Sequence, residues 1–348
     1  MMHCNRLLYI GALSKYGDSS TCYHRLLALN SIGCIVDSID TELYFHWNSS
    51  NKIRNYLFNK GFDTFLSGTK ELENAVRTQL LKNEYNIIWI DKGIFFSKSF
   101  LKRIKESYPS IKIIGYSPDD MGQRHNQSAQ FLSSITEYDL FITTKSYNVP
   151  EIKAMGCKEV YFINNAFEDT FHYPRVLDKT EFEYYHADVG FIGAYEKERG
   201  ESIYYLANNF VPVRVFCNRW PLVHPNIKVL PAIFNENYCK AISATKINLA
   251  FLRKINRDQQ TTRSIEIPAC GGFMLAERTE EHLQLFKEGV EADFFNSNEE
   301  MLDKCRYYLK HDDERQKIAK RGLAKCHEAG YSNKDRLKKV LEYINTKE

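Results

Sequence analysis

Short apolar runs of strand length alternate with segments of helical periodicity along most of this chain. Strands that are apolar throughout and separated by helices are typical of a parallel sheet with helices on both faces. The predicted strands of the first half span residues 7–13, 34–37, 86–91, 112–116, 139–143 and 159–163. The predicted helices between them span residues 22–31, 70–82, 99–107 and 128–136. The first half is therefore predicted to form an α/β domain.

The alternation breaks at residues 164–185, which are polar and aromatic and have no clear period. We interpret this stretch as an interdomain linker. The alternation then restarts in a second set of predicted strands, at residues 187–193, 213–217, 246–252, 272–276 and 292–295. Two predicted helices, 298–310 and 334–345, follow and place apolar residues on one face. We expect two doubly wound domains, residues 1–165 and 186–330, and a C-terminal helix within residues 331–348 that could pack back on the first domain.

The overall composition limits the class of protein. The 348 residues carry a formal net charge of +3, with acids and bases mixed, so nothing indicates a nucleic-acid partner. The nine cysteines lack CxxC spacing, which favours reduced thiols over structural zinc. Residues 1–10 show no signal-peptide pattern, and no apolar run approaches the ~20 residues of a membrane span. We expect a cytoplasmic protein. Peripheral contact with the inner face of the membrane and the oligomeric state stay open.

Residues 261–275 form the most informative local pattern: a polar loop, a short helix, a Gly-Gly turn and a buried strand. Thr261 and Thr262 stand where a helix would be capped, and a helix start offers N–H groups to a phosphate. The Glu266 carboxylate can accept two hydrogen bonds from a vicinal diol such as ribose. Gly271 and Gly272 would let the backbone approach a ligand closely. The pattern predicts a pocket for a nucleotide diphosphate.

The same region resembles the C-terminal half of GT-B glycosyltransferases, in particular the CgeB-like branch of the group 1 transferases. The matching pieces lie at residues 246–249, 263–273, 287–291, 299–309 and 315–322. The resemblance implies an α/β GT-B fold, in which two Rossmann-like domains face a central cleft. It also implies an enzyme that moves a sugar from a nucleotide-diphosphate donor to a hydroxyl of a saccharide or glycolipid acceptor. The donor is a substrate, and no cofactor is expected.

Four residues of the second domain gain a role from this resemblance. It implies that Glu266 binds the ribose and that Gly193 and Arg199 lie near the donor diphosphate. In retaining enzymes of this group a second acid stands eight positions before the first, where this chain has Asp258. Because aspartate is one methylene shorter than glutamate, Asp258 either contacts the donor sugar or is an ordinary loop residue.

Several basic residues are candidates for stabilising a diphosphate leaving group. Fixed cations stabilise the charge that develops as the glycosidic bond breaks. Arg263 and Lys246 are the first candidates, and Arg253 lies in the loop after the predicted strand 246–252. Arg263 either contacts the diphosphate or orients Glu266, and Arg253 is either a phosphate ligand or surface charge. No DxD pair stands in the second domain, so we expect a metal-independent reaction and no metal site.

In the first domain, acidic residues follow two predicted strands. Asp119 and Asp120 come directly after the strand 112–116 and either contact the acceptor hydroxyl or donor sugar, or form a solvated turn. Asp18 lies in the polar loop 17–20 after the first strand, where it could act as a base. Capping of the next helix by Asp18, Ser19 or Ser20 is the commoner arrangement.

The sequence supports more than one function for this layout. The resemblance favours a retaining transferase, whereas an inverting one would need a base near the acceptor, for which Asp18, Asp119 and His24 are available. A sugar-nucleotide epimerase with the same layout would act on the donor without an acceptor. A sugar-nucleotide-binding protein without catalysis is the third possibility.

Overall fold

The computed structural model describes residues 6–15, 17–45 and 68–346. The chain forms two compact units, one of residues Met1–Asn164 with Leu337–Glu348 and the other of residues Asn165–Arg336. The stretch 164–185, expected to be a linker, belongs almost entirely to the second unit. Phe167 is buried in a core of that unit, and residues Lys179–Tyr185 form a helix. Its sequence looked like a linker because polar residues outnumber the few apolar side chains, such as Phe167, that pack in the core.

The first unit contains a six-stranded parallel sheet in the order β2-β1-β3-β4-β5-β6. Its strands are β1 (Arg6–Gly11), β2 (Ile35–Asp40), β3 (Ile87–Asp91), β4 (Lys112–Ser117), β5 (Leu140–Thr143) and β6 (Val160–Phe162). Its described α-helices are Thr21–Ser31, Thr69–Lys82, Lys98–Ser107, Ala129–Ser134 and Asn148–Ala154, joined by the part of helix Asn333–Asn345 that starts at Leu337.

Alternate residues of each central strand enter two different cores. In β1 and β3, Leu8 and Ile88 belong to one apolar cluster, whereas Leu7 and Ile87 belong to another. Because successive side chains of a strand point to opposite faces, both faces of the sheet are covered. Helix Asn333–Asn345 contributes Leu337, Val340, Leu341 and Ile344 to the second of these clusters.

The second unit repeats this architecture with the strand order β12-β11-β10-β7-β8-β9, all pairs parallel. Its strands are β7 (Ala187–Ile192), β8 (Val213–Phe216), β9 (Ile227–Leu230), β10 (Thr245–Ala250), β11 (Met274–Glu277) and β12 (Asp293–Phe295). Its α-helices are Lys179–Tyr185, Lys197–Asn208, Asn235–Ala244, Arg263–Ala269, Glu280–Leu285, Asn298–Lys310, Asp312–Glu328 and the start of Asn333–Asn345.

Both units are doubly wound α/β sheets, which confirms the predicted fold class. In each, the strand order reverses beside the first strand, between β1 and β3 and between β7 and β10. Ligands of such sheets bind outside the carboxyl ends of the strands at this reversal. The loops after β1, β3, β7 and β10 are therefore the places to look for a site.

Candidate functional site

The second unit has a cavity of about 640 Å³ at the carboxyl ends of β7 and β8. Its wall is mostly apolar, with a few polar groups, which is typical of small-molecule sites. The described lining residues are Ile192, Gly193, Ala194, Tyr195, Phe216, Cys217, Asn218, Arg219, Pro221, Ala232, Ile233, Phe234 and Arg263. Two residues predicted from the sequence, Gly193 and Arg263, are among them.

Gly193 forms the cavity wall directly after β7. Its backbone N–H donates to the carbonyl of Phe216 at 3.2 Å, which ties the turn to the end of β8. A Cβ atom at this position would lie 2.9 Å from Cζ of Phe191, closer than real contacts allow. Glycine therefore lets the main chain form the wall without displacing that ring.

Arg263 begins the short helix Arg263–Ala269 and joins it to β7. Its Nε donates to the carbonyl of Ile192 at 2.8 Å. This contact uses one of the five N–H donors of the guanidinium. The cavity thus has a fixed positive charge at its wall, beside the glycine turn.

The start of this helix differs from the sequence prediction. Thr262 has helical backbone angles, φ −57° and ψ −36°, and its side chain makes no capping hydrogen bond. The N–H groups of Ser264 and Glu266 already donate to the carbonyls of Thr261 and Thr262, at 3.1 and 2.8 Å. The predicted threonine caps are therefore wrong, and the turn offers a phosphate fewer N–H groups than expected.

A buried Ser–His pair holds this turn instead. Ser264 Oγ accepts from the N–H of Thr261 at 3.0 Å and lies 2.7 Å from Nε2 of His282. Nδ1 of His282 lies 2.7 Å from the carbonyl of Glu277. Burial lowers the pKa of His282 to about 4, so the ring is neutral near pH 7. Nδ1 then donates to the carbonyl and Nε2 accepts from the serine hydroxyl.

The glycine pair after the helix serves packing within the protein. Gly271 has φ +73°, in the left-handed region that favours glycine at a helix end. A Cβ atom at Gly272 would lie 2.6 Å from Ile242 and 2.8 Å from the Asn248 amide. Protein side chains, rather than an open ligand site, surround Gly272.

Glu266 is buried beside two aromatic side chains that the sequence reading missed. Tyr238 donates its hydroxyl to Oε2 at 2.8 Å, and His172 Nε2 lies 3.7 Å from Oε1. Burial lowers the pKa of His172, while burial and the nearby Glu266 raise that of Tyr238 well above its usual value. These partners stand 28 and 94 positions away along the chain, so no local pattern could reveal them.

Two of the predicted arginines meet at a second acid, Glu196, for which the sequence predicted no role in the site. Arg199 is buried and donates to the carbonyls of Ala194 and Phe251, both at 3.4 Å. The Glu196 carboxylate lies 3.6 Å from Nη1 of Arg199 and 2.9 Å from Nε of Arg253. Burial lowers the pKa of Arg199. Arg199 therefore fastens the loop after β7 to the loop after β10.

Asp258 and Lys246, the remaining predicted residues of the second unit, lie in different places. Asp258 is buried, and its carboxylate accepts from the N–H of Arg253 at 3.4 Å within the loop after β10. Lys246 pairs with Asp188 at 2.7 Å, and both are second residues of their strands. Because β10 continues four residues beyond Lys246, about 13 Å of strand separates it from the carboxyl end. The structure does not bring Lys246 into the group around Gly193.

The first unit has its own cavity, of about 450 Å³, beside the carboxyl ends of β1, β2, β3 and β4. The described lining residues are Ala12, Lys15, Thr21, Cys22, Arg25, Thr41, Glu42, Asp91, Lys92, Ile94, Phe95, Pro118, Asp119, His125, Asn126 and Gln127. Most of these residues have charged or polar side chains, unlike those that line the other cavity.

The adjacent acids after β4 have different surroundings. Asp119 lines the cavity and pairs with Nζ of Lys92 at 2.5 Å. Asp120 is completely buried, where its carboxylate accepts from the Asn148 amide at 2.8 Å and from the N–H of Gly122 at 3.0 Å. Asp119 is therefore placed to meet a ligand, whereas Asp120 fixes the loop.

Asp18 is exposed and is not among the described lining residues of this cavity. Its backbone carbonyl lies 2.6 Å from Nε2 of His24. The helix Thr21–Ser31 is capped by Ser20, whose hydroxyl oxygen accepts from the N–H of Tyr23 at 3.4 Å. Of the three capping candidates, Ser20 is therefore the residue that caps the helix.

The base of the first cavity contains a buried ion pair. Oδ2 of Asp91 accepts from Nε of Arg25 and from the hydroxyl of Tyr9, both at 2.7 Å. The guanidinium also lies over the ring of Tyr116, 4.2 Å from its centroid. The sequence reading treated Asp91 only as the end of a strand, because its partners come from other elements.

Comparison with known proteins adds to this geometry. Residues 199–342 match a family model described as glycosyl transferase-like. No curated protein sequence matches the chain. Among solved structures, HepE from Anabaena, in complex with UDP-glucose, is similar with a TM-score of 0.65 at 11% identity, over 98% of this chain and 100% of that one. Sucrose-phosphate synthase from Thermosynechococcus elongatus has a TM-score of 0.66 at 11% identity, over 98% and 99%.

A further similar fold belongs to a protein assigned as UDP-N-acetylglucosamine 2-epimerase from Listeria monocytogenes. Its TM-score is 0.57 at 9% identity, over 99% of this chain and 96% of that one. At such identities the likeness concerns the fold alone. None of the described helices is long and apolar enough to cross a membrane. The CgeB-like branch stays a prediction. The two doubly wound units thus have the fold of these solved GT-B structures, and residues 199–342 are similar to the glycosyl transferase-like family.

Proposed function

We propose that this protein transfers a sugar from a nucleoside diphosphate donor to a hydroxyl group of a saccharide or glycolipid acceptor. The observation that carries the proposal is the cavity at the ends of β7 and β8, where the glycine turn and a fixed arginine meet. HepE was crystallised with UDP-glucose, so uridine is the first base to test.

The donor diphosphate would lie beside Gly193 and Arg263. The turn brings main chain to the wall without a side chain, and the guanidinium can donate charge-assisted hydrogen bonds to phosphate oxygens. Negative charge grows on the diphosphate as the glycosidic bond breaks, and a preorganised cation stabilises it more in the transition state than in the ground state. Arg263 would thus contribute to rate as well as to binding.

Glu266 would bind the ribose hydroxyls. A carboxylate has about four lone-pair sites, and the described hydrogen bond from Tyr238 occupies one of them. Tyr238 would then orient the carboxylate toward the ligand. Asp258 lies in the loop after β10 and would contact the donor sugar. Metal independence and retention of configuration remain predictions.

An epimerase is the second candidate, because a protein assigned to that activity shares the fold. The two reactions differ in what they consume. An epimerase inverts a sugar carbon of the donor in the absence of any second substrate. A transferase releases the nucleotide and attaches the sugar to an acceptor. Proton NMR of a nucleotide sugar incubated with the protein alone separates them, since only the epimerase yields a second intact nucleotide sugar.

The direct test is a thermal-shift screen with the diphosphates of uridine, guanosine, adenosine and cytidine. A ligand that binds only the native state raises the melting temperature, and we expect this for one base, with uridine first. The variant Arg263→Met should weaken nucleotide binding by about 10- to 100-fold, since it removes a charge-assisted hydrogen bond.

The matched control for that variant is Lys320→Met, which removes an exposed cation on the helix Asp312–Glu328 of the same unit. It should bind the nucleotide like the wild type. If no diphosphate shifts the melting temperature of the intact chain, the proposed function is wrong. Equal nucleotide affinity in the Arg263→Met and Lys320→Met variants would show that Arg263 does not bind the nucleotide.

A further inference from the structure

The charges that line the cavity of the first unit are balanced. Among the described lining residues, three are cationic at pH 7 and three are anionic. They form three pairs: Lys15 with Glu42 at 3.9 Å, Arg25 with Asp91 at 2.7 Å, and Lys92 with Asp119 at 2.5 Å. Each of these positive charges is thus offset within 4 Å, so the described part of the wall has no excess of either sign to attract an ion.

Two of these pairs are accessible to a ligand: Lys15 with Glu42, exposed by 40% and 19%, and the closer pair of Lys92 with Asp119. Arg25 and Asp91 are almost fully buried, with side-chain exposures of 5% and 1%. Lys92 and Asp119 are exposed by 42% and 25%, so both reach the cavity and solvent. An ammonium group donates hydrogen bonds and a carboxylate accepts them, whereas a sugar hydroxyl does both. Neighbouring hydroxyls of a saccharide could therefore bridge the two side chains without adding charge.

Lys92 has an unusual backbone for its residue type. Its φ is +49°, in the left-handed region that residues other than glycine rarely adopt. Two short hydrogen bonds hold it there, from its N–H to the carbonyl of Tyr116 and from the N–H of Ile94 to its own carbonyl, both at 2.7 Å. Such conformations persist where the surroundings impose them, and they concentrate at ligand sites.

We propose that this cavity binds an uncharged, hydroxyl-rich saccharide and that Lys92 and Asp119 select it over phosphorylated or carboxylated sugars. The inference rests on the proposed function, because it names the class of acceptor. A volume of about 450 Å³ lies within the usual range for small-molecule sites. An anionic sugar would face Asp119 with no spare cation among the described lining residues, whereas a neutral one would keep all three ion pairs intact.

The test measures binding of free sugars to the intact chain by saturation-transfer NMR. The neutral probes are glucose, galactose and N-acetylglucosamine, and the anionic probes are glucuronic acid and glucose 6-phosphate. For the wild type we expect at least one neutral probe to bind about 10-fold more tightly than both anionic probes. Binding of an anionic probe as tightly as every neutral one, or no binding of any neutral probe at millimolar concentration, would overturn the proposal.

Two variants change the charge balance in opposite directions. Asp119→Asn leaves Lys92 with a spare charge and should raise the affinity for the anionic probes about 10-fold. Lys92→Met should lower the affinity for the neutral probes about 10-fold without raising the affinity for the anionic ones. Lys92→Asn serves if the methionine variant does not fold, because asparagine tolerates a positive φ. A folded Asp119→Asn variant with no gain for anionic probes contradicts the selection by Lys92 and Asp119.

The control is Lys102→Met, which removes one side of the exposed Lys102–Glu106 pair on a helix of the same unit. It should leave sugar binding unchanged. The nucleotide thermal shift is recorded on the same samples to separate the two proposals. A normal shift without neutral-sugar binding refutes only the inference about the acceptor. If a sugar binds but no nucleotide raises the melting temperature, the proposal that the donor is a nucleoside diphosphate sugar is wrong.

Discussion

Glu266 is a carboxylate held inside the second unit by groups that come from distant parts of the chain. The backbone N–H of Glu168 donates to Nδ1 of His172 at 3.0 Å, so the neutral ring carries its proton on Nε2, toward Glu266. Nε2 lies 3.7 Å from Oε1, beyond hydrogen-bond distance, whereas Tyr238 donates a hydrogen bond to Oε2 of the same carboxylate. A buried carboxylate is stable only when such donors replace the water that it lost.

The variant Tyr238→Phe tests this dependence. It removes the hydroxyl and leaves one buried carboxylate oxygen without its described donor, so we expect the free energy of unfolding to fall by about 2 kcal/mol. Nucleotide affinity should fall as well if the tyrosine orients Glu266. Urea unfolding and nucleotide titration measure the two effects.

Tyr307→Phe is the matched control for this change. Tyr307 also donates to a glutamate, Glu314, at 2.8 Å, but it is exposed at the protein surface. Hydrogen bonds of that kind compete with water, and their loss has little effect. If the two tyrosine variants lose the same stability, the buried hydrogen bond to Glu266 has no special role.

The short helix Arg263–Ala269 depends on a histidine from another helix. The chain of hydrogen bonds runs from the N–H of Thr261 through Ser264 and His282 to the carbonyl of Glu277. A protonated ring could not accept from Ser264. The buried neutral imidazole thus helps to fix this helix start, and with it Arg263.

Stability should consequently depend on pH. His282 has a folded-state pKa of about 4, below the ordinary value of 6.5, so the unfolded chain binds the proton more readily. Its contribution is complete above pH 6.5 and is lost as the pH falls toward 4. We expect the free energy of unfolding to drop by about 3 kcal/mol over that interval. Urea unfolding across this pH range measures the slope.

Two histidine variants isolate that contribution. His282→Gln should make the curve shallower between pH 6.5 and 4, because the contribution of His282 is gone while that of His172 remains. His311→Gln, which changes an exposed histidine of the same unit, should leave the slope unaltered. A slope that survives in the His282→Gln variant would assign the pH dependence to other groups.

The elements that the sequence predicts best are the buried central strands. Residues 112–116 were predicted as a strand, and the structure has β4 at Lys112–Ser117, apolar on both faces. The edge strand β9 was missed because Lys228 is exposed and Val229 largely so, leaving no continuous apolar run. At the site, Gly193 and Arg263 follow from local patterns. Tyr238 and Lys92 do not, since only tertiary contacts bring them to Glu266 and Asp119. Glu196 lies three residues before Arg199 but meets Arg253 only through the fold.

At the scale of the whole molecule, the chain leaves the first unit at Asn164 and re-enters it at Leu337. The returning segment is apolar on one face, and Leu341 is buried there at 4% exposure. Its neighbours in the same cluster include Ile114 and Ile142 of the central sheet. The helix from Leu337 to Ile344 thus completes a core whose other parts lie far earlier in the sequence.

Leu341→Ala should therefore weaken the first unit selectively. Removal of a buried leucine side chain leaves a cavity and costs about 2–5 kcal/mol. Hydrogen exchange should speed up in β1, β3 and β4 and remain unchanged in β7 and β10. Leu81→Ala is the control, because Leu81 is 82% exposed on a helix of the same unit. Faster exchange in both units alike would show that the helix does not belong to one core.

The return of the chain at Leu337 also fixes the order in which the protein can mature on the ribosome. Every residue of the second unit has left the exit tunnel before the first unit receives its closing segment. The unit translated first is thus the one that finishes last. Until the segment from Leu337 onward has been synthesised, the sheet face formed by Leu7, Ile87 and Ile142 has no cover from it, and a nascent chain stalled before Leu337 would expose that apolar surface to chaperones.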